Sequence, residues 1–157
     1  LADGDDPDFW KSVTNNEHHT GISHLHRSVS LKQVTDGVSK TYLVGEKALS
    51  PGNYESGLSI GDDDNLYSGF ANDNHRFAAS RAAGPAGWDQ KTILYYPPAV
   101  DSDDPLDPAR HIRFGSAHHA RFHMVMCDGS VESIAYDVDP VAHYFGAHRG
   151  DAGVLAE

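Results

Sequence analysis

The stretch FGSAHHARFHMVMCDGSVESIAY, Phe114 to Tyr136, decides the fold. Two apolar, β-prone runs, Phe122 to Cys127 and Ser130 to Tyr136, flank Asp128-Gly129. Asp-Gly suits a two-residue type I′ turn, because both central positions then need positive φ. A tight antiparallel hairpin is predicted. Upstream, Phe114-Gly115-Ser116 leads into His118, and nine residues lie between His118 and Asp128.

Around this hairpin the chain is 157 residues long. That is enough for one domain with a core of its own, so residues 1–157 are read as a single domain. A hydrophobic fraction of 39% and a mean hydropathy of -0.50 suit a loop-rich globule. Twelve Lys and Arg against 23 Asp and Glu leave a formal charge of -11. Such a surface repels phosphates and anionic lipid, so nucleic acid is not an expected partner.

Cys127 is the one cysteine, which excludes an internal disulfide and any multi-cysteine metal site. At the end of an apolar strand it reads as a small buried hydrophobe. No apolar run is long enough to cross a bilayer, and no signal peptide is expected in the sequence as given. A first residue Leu1 rather than Met leads us to expect a processed or truncated product.

Residues 1–8 are acidic, carry Gly4 and Pro7, and read as a flexible leading segment before the apolar anchor Phe9-Trp10. Gly21 to Ser28 alternates like a polar strand. Ser30 can cap a helical turn through Leu31 and Val34, closed by Asp36-Gly37, and Thr41 to Val44 reads as a strand. From Ser50 to Pro108, Gly, Pro, Asp, Asn and Ser dominate, so a long loop region with two short strands is expected. A connection of that length needs something to pin it. After the hairpin, Asp139-Pro140 should start a short helix, Val141 to Phe145, that Gly146 ends. The fold class is therefore α+β, mainly antiparallel β, with short helices and long loops.

Three groups of residues offer chemistry. Asp62, Asp63, Asp64 and Asp73 are candidate Ca²⁺ ligands, since that ion takes six to eight oxygens from flexible acidic loops. The frame is not an EF-hand, and a solvated acidic loop is the competing reading; Asp101, Asp103, Asp104 and Asp107 read as a turn surface. Eleven histidines cluster as His18-His19, His24 with His26, His118-His119 with His123, and His143 with His148. On a strand His24 and His26 share a face, a two-ligand geometry for Zn²⁺ or Cu²⁺ that needs a third donor such as His118 or Glu17, and ordinary surface and loop histidines are the competing reading. His118 itself is expected to fix the loop before the hairpin by bonding backbone carbonyls or the turn carboxylate. A Ser116, His118, Asp128 triad lacks a nucleophile elbow and oxyanion glycines, and no phosphate loop, dinucleotide fingerprint or HExxH occurs.

The spacing from His118 to Asp128-Gly129 resembles the His-x9-Asp-Gly signature of a prepilin-like domain family of unknown function. That family is abundant in planctomycete-type bacteria and related to the pseudopilins of type II secretion. Thr20 to Lys47, Gly61 to Arg76 and Ala109 to Pro140 resemble its three characteristic blocks, with His118, Asp128 and Gly129 as the structural motif. His119-Ala120 and Lys40 depart from its usual residues. The resemblance implies a pseudopilin-like head domain without its N-terminal hydrophobic helix, which would be the only route to a membrane. It further implies a non-enzymatic role at the cell surface or in secretion, with the domain exported or periplasmic. The implied partners are other pilin-like subunits or the secretion machinery, with Ca²⁺ as the candidate stabilising ion. Two other readings remain open: a His/carboxylate metal-binding domain or metal-dependent hydrolase, and a Ca²⁺-dependent lectin-like module stacking carbohydrate on Trp10, Trp88 and Tyr95-Tyr96.

Overall fold

Alternation along RFHMVM builds the central strand, because every second side chain points to the same face of a sheet. A computed structural model describes residues 2–3, 20–23, 28–65, 67, 73–81, 93–104, 107 and 109–150. Its strands are β1 (Ala2–Asp3), β2 (Tyr42–Gly45), β3 (Arg76–Phe77), β4 (Ala79–Arg81), β5 (Ile93–Tyr95), β6 (Ala99–Val100), β7 (Gly115–Ser116), β8 (Arg121–Met126) and β9 (Val131–Ala135). One α-helix, α1 (Pro140–Ala147), and two 3-10 turns, Leu31–Gln33 and Pro51–Asn53, complete the described elements. The rest of the 1–8 segment, Phe9, Trp10, Glu17, His18, His19, His24, His26 and Trp88 lie outside the described residues.

The main sheet is antiparallel with order β2-β8-β9. Phe122, Met124 and Met126 of β8 are buried, while Arg121 and His123 face out. Phe122, Met124 and Met126 pack with Tyr42, Ala78, Phe114 and Ala147 into the larger core cluster. Truncating a fully buried ring such as Phe122 to Ala would cost roughly 3–5 kcal/mol, transfer and cavity terms together. A second cluster, Phe77, Ala109 and Ile112 with Tyr96 against it, lies beneath the loop region. The other strands form one antiparallel pair, β4-β5, and two parallel pairs, β6-β7 and β1-β3. The class is α+β and mainly antiparallel, and no helix among the described residues is long and apolar enough to cross a membrane.

Local expectations change at the hairpin and at the helix end. Val125 pairs with Val131 and the Met126 N–H donates to Ser130 O, so the β8-β9 connection holds three residues, Cys127 to Gly129, rather than two. Gly129 has φ +87°, and its N–H donates to Met126 O, which is how a three-residue hairpin uses one left-handed position. The helix runs through Gly146 to Ala147 instead of stopping there. A Cβ on Gly146 would come within 2.5 Å of the Tyr42 ring, so the glycine lets the helix lie on β2 rather than ending it. Asp139 caps α1 as expected, accepting from the Val141 and Ala142 N–H groups.

Between Ser50 and Pro108 the described residues hold four short strands rather than two, β3 to β6. The pins there are side chains. Asp103 accepts from Ser50 Oγ and Gly52 N–H, and Asp101 accepts from Leu49 N–H and the Tyr54 hydroxyl. The cluster read as a turn surface thus clasps residues 49–54.

Candidate functional site

Glu46, His118 and His123 meet at one end of the main sheet. Glu46 follows β2, and its N–H donates to His123 O at 3.1 Å, extending the β2-β8 ladder by one residue. His123 is on the outer face of β8 because Phe122 and Met124 take the inner one. His118 sits on the loop between β7 and β8. Ser116 braces that loop: its Oγ bonds Arg121 O at 3.3 Å and the Tyr136 hydroxyl at 2.9 Å, and it accepts from the His118 N–H at 3.2 Å. Tyr136 in turn stacks on buried Phe122, which ties the loop to the core.

Within the cluster, His123 Nδ1 lies 3.1 Å from Glu46 Oε2, and His118 Nε2 lies 3.5 Å from Glu46 Oε1. The His123 N–H donates to the same Glu46 Oε2 at 2.7 Å, which fixes the carboxylate against the strand. The two imidazole rings stand edge to face with centroids 5.7 Å apart. All three side chains are solvent-accessible, at 63% for His118, 48% for His123 and 36% for Glu46. Ligand atoms from the three lie within 4.8 Å of one another, so they are the residues able to hold a metal ion among those described.

The sequence-predicted residues fall in different places. His118 does not reach Asp128, because β8 runs between them; Asp128 instead accepts from Ser130 N–H and Oγ, which hold its carboxyl below the usual range. Ser116, His118 and Asp128 are not brought together as a triad. Asp62 is ion-paired with Lys47, whose ammonium also donates to Gly61 O and Asp73 O, at 3.1 and 2.9 Å. The Asp73 carboxylate accepts the Asp64 N–H, while Asp63 and Asp64 are exposed. His24 and His26 lie outside the described residues. Tyr95 packs edge to face on Tyr144, and Tyr96 packs on the Phe77 cluster.

His143 occupies a different environment. It is buried between the rings of Tyr42, Phe114 and Phe122, with centroids 5.4 to 5.9 Å away. Its Nδ1 faces the Tyr42 hydroxyl at 3.3 Å, and burial lowers its pKa to about 4. Burial likewise pushes the Tyr42 hydroxyl up to about 12. A neutral imidazole in an aromatic box is a core residue, not an acid or base for solvent-borne substrate.

His118 was singled out in the sequence by the motif spacing and His123 by its proximity to it. Glu46 carried no signal of its own beyond its place in the Val44-Gly45-Glu46-Lys47 run. No curated protein and no solved structure matches the chain. A family model described as "Protein of unknown function (DUF1559)" matches residues 3–141. The match takes in the Glu46, His118 and His123 cluster, the Lys47 clasp and the Asp128-Gly129 hairpin, and the chain belongs to this family.

Proposed function

We propose that the domain is the non-enzymatic head of a pilin-like, pseudopilin-related protein, exported or displayed at the cell surface, whose loops make contact with neighbouring subunits or secretion machinery. The observation that carries this reading is how the three motif blocks are used. Lys47 of the first block holds Gly61, Asp62 and Asp73 of the second. Thr41 O and Val38 O of the first accept the Cys127 and Asp128 N–H groups of the third. Phe77, just past the second block, donates its N–H to Ile112 O of the third. The Lys47 side chain and backbone hydrogen bonds between the blocks thus lock the domain's own backbone, which is what a scaffold for display needs.

The loop between the first two blocks supports a contact role. Tyr54, Leu58 and Ile60 are all exposed there, within seven residues of a strongly acidic chain. Exposed apolar side chains gathered on one loop favour burial against another protein. The Lys47 ammonium already neutralises part of the Asp62 to Asp73 loop, so in this reading the loop is held with or without Ca²⁺.

The test is made in source cells producing the full-length protein. Surface biotinylation of intact cells and cross-linking from a cysteine placed at Leu58 should label the domain and recover it joined to pilin-like subunits. Recovery as a free cytoplasmic protein, unlabelled and uncross-linked, would overturn the reading.

A further inference from the structure

We infer that Glu46, His118 and His123 form a binding site for a borderline transition-metal dication, with Zn²⁺ the first choice. The donor set is two imidazoles and one carboxylate, which suits Zn²⁺, Ni²⁺ or Cu²⁺. It does not suit Ca²⁺ or Mg²⁺, which take oxygen ligands throughout.

The spacing fits the ion. In a tetrahedral site with bonds of about 2.0–2.1 Å, neighbouring donor atoms stand about 3.4 Å apart. His123 Nδ1 stands 3.1 Å from Glu46 Oε2 and His118 Nε2 3.5 Å from Glu46 Oε1, so each imidazole already sits at about that distance from one of the two carboxylate oxygens. The remaining separation, between the imidazoles, is within 4.8 Å, and it closes by small rotations of exposed side chains. Each donor is carried by backbone that is held independently: Glu46 by the ladder to His123, His123 within β8, and His118 by the Ser116 brace. Pre-placement of this kind lowers the ordering cost of binding.

Electrostatics act in the same direction. Lys47, next in sequence to Glu46, sends its ammonium to Gly61, Asp62 and Asp73 instead. Arg121, two residues before His123, donates to Ser133 O. The chain's formal charge of -11 draws cations toward its surface. Solvent access at all three ligands leaves the fourth position to water, so the ion would be held as an open, exchangeable site.

The experiment uses the tag-free chain at pH 7.5, titrated with zinc chloride and followed by the imidazole resonances in NMR and by equilibrium dialysis with elemental analysis. Zinc should shift the His118 and His123 rings ahead of the other histidines. Glu46→Gln, His118→Asn and His123→Asn should each weaken binding by at least the roughly ten- to hundredfold that loss of an outer-shell partner costs. His119→Asn, at the exposed neighbouring position, should leave it unchanged. Zinc that moves neither ring, or that binds equally to the three variants, overturns the assignment and leaves a hydrogen-bonded cluster. The NMR shifts of the wild-type chain read the site even where a variant folds poorly.

Discussion

Replacing His143 with Phe should flatten the acid sensitivity of this fold. The imidazole is fully buried, and burial lowers its pKa from an ordinary 6.5 to about 4. In the unfolded chain it regains the ordinary value, so between those two values the unfolded state binds the extra proton. Stability from a neutral His143 is therefore whole above about pH 6.5 and is lost as the pH falls toward 4. At 1.36 kcal/mol per pH unit, the ceiling of that loss is about 3 kcal/mol, and by pH 5 about 2 kcal/mol has gone. Asp103 and Asp128, held low by hydrogen bonds, and His111, lowered by desolvation, titrate in both proteins and cancel in the comparison. Phe fills a similar ring volume among Tyr42, Phe114 and Phe122, giving up the contact with the Tyr42 hydroxyl. Urea unfolding at pH 7.5 and pH 5.0 measures both proteins. The wild type should lose about 2 kcal/mol more than His143→Phe between the two conditions. Equal losses would mean that His143 is not buried as described.

Gly146→Ala should lower the melting temperature although alanine favours helix by about 1 kcal/mol, because its Cβ meets the buried Tyr42 ring and overpacking costs about 1–3 kcal/mol; a raised melting temperature would count against the helix lying on β2. Gly129→Val should cost about 1 kcal/mol or more purely from its φ of +87°, since no atom lies near the added Cβ, and an unchanged urea midpoint would refute the left-handed turn. Lys47→Met should speed amide hydrogen exchange at residues 61–64 and cost about 1 kcal/mol or more, because the Asp73 carbonyl loses the ammonium while Gly61 O keeps its bond from Arg76. Millimolar Ca²⁺ should leave the wild-type melting temperature unchanged, and a rise that EGTA reverses would assign the acidic loop to Ca²⁺ instead.

The hairpin, the capped helix and the fold class were legible because each rests on a local signal. Phe122 and Met124 alternate with Arg121 and His123 in an apolar, β-prone run, Asp128-Gly129 interrupts it, and Asp139-Pro140 carries both capping chemistry and fixed φ. The errors of detail came from tertiary contacts. Gly146 reads as a helix stop until the Tyr42 ring is set against it. The short strands between Ser50 and Pro108 have too few residues to show a period, and they exist because Lys47, Asp101 and Asp103 clasp the loops around them.

The candidate site was only half legible, and the reason is a matter of register. His118 and His123 lie close in sequence, but Glu46 lies 77 residues before His123, and only the pairing of β2 with β8 joins them. Tyr42 pairs with Met126, whereas Gly45 pairs with Met124, so a bulge between Tyr42 and Val44 shifts the register by one. Without it Gly45 would oppose His123, and Glu46 would oppose Phe122, whose side chain is buried in the core. A one-residue slip exchanges the two faces of a strand, so the carboxylate would point inward without a partner. The bulge therefore lets one short strand serve two faces. Tyr42, ahead of it, keeps its place against α1, and Glu46, past it, is turned outward beside His123, where the His118 loop can close on it. No periodicity in the sequence marks a bulge of this kind.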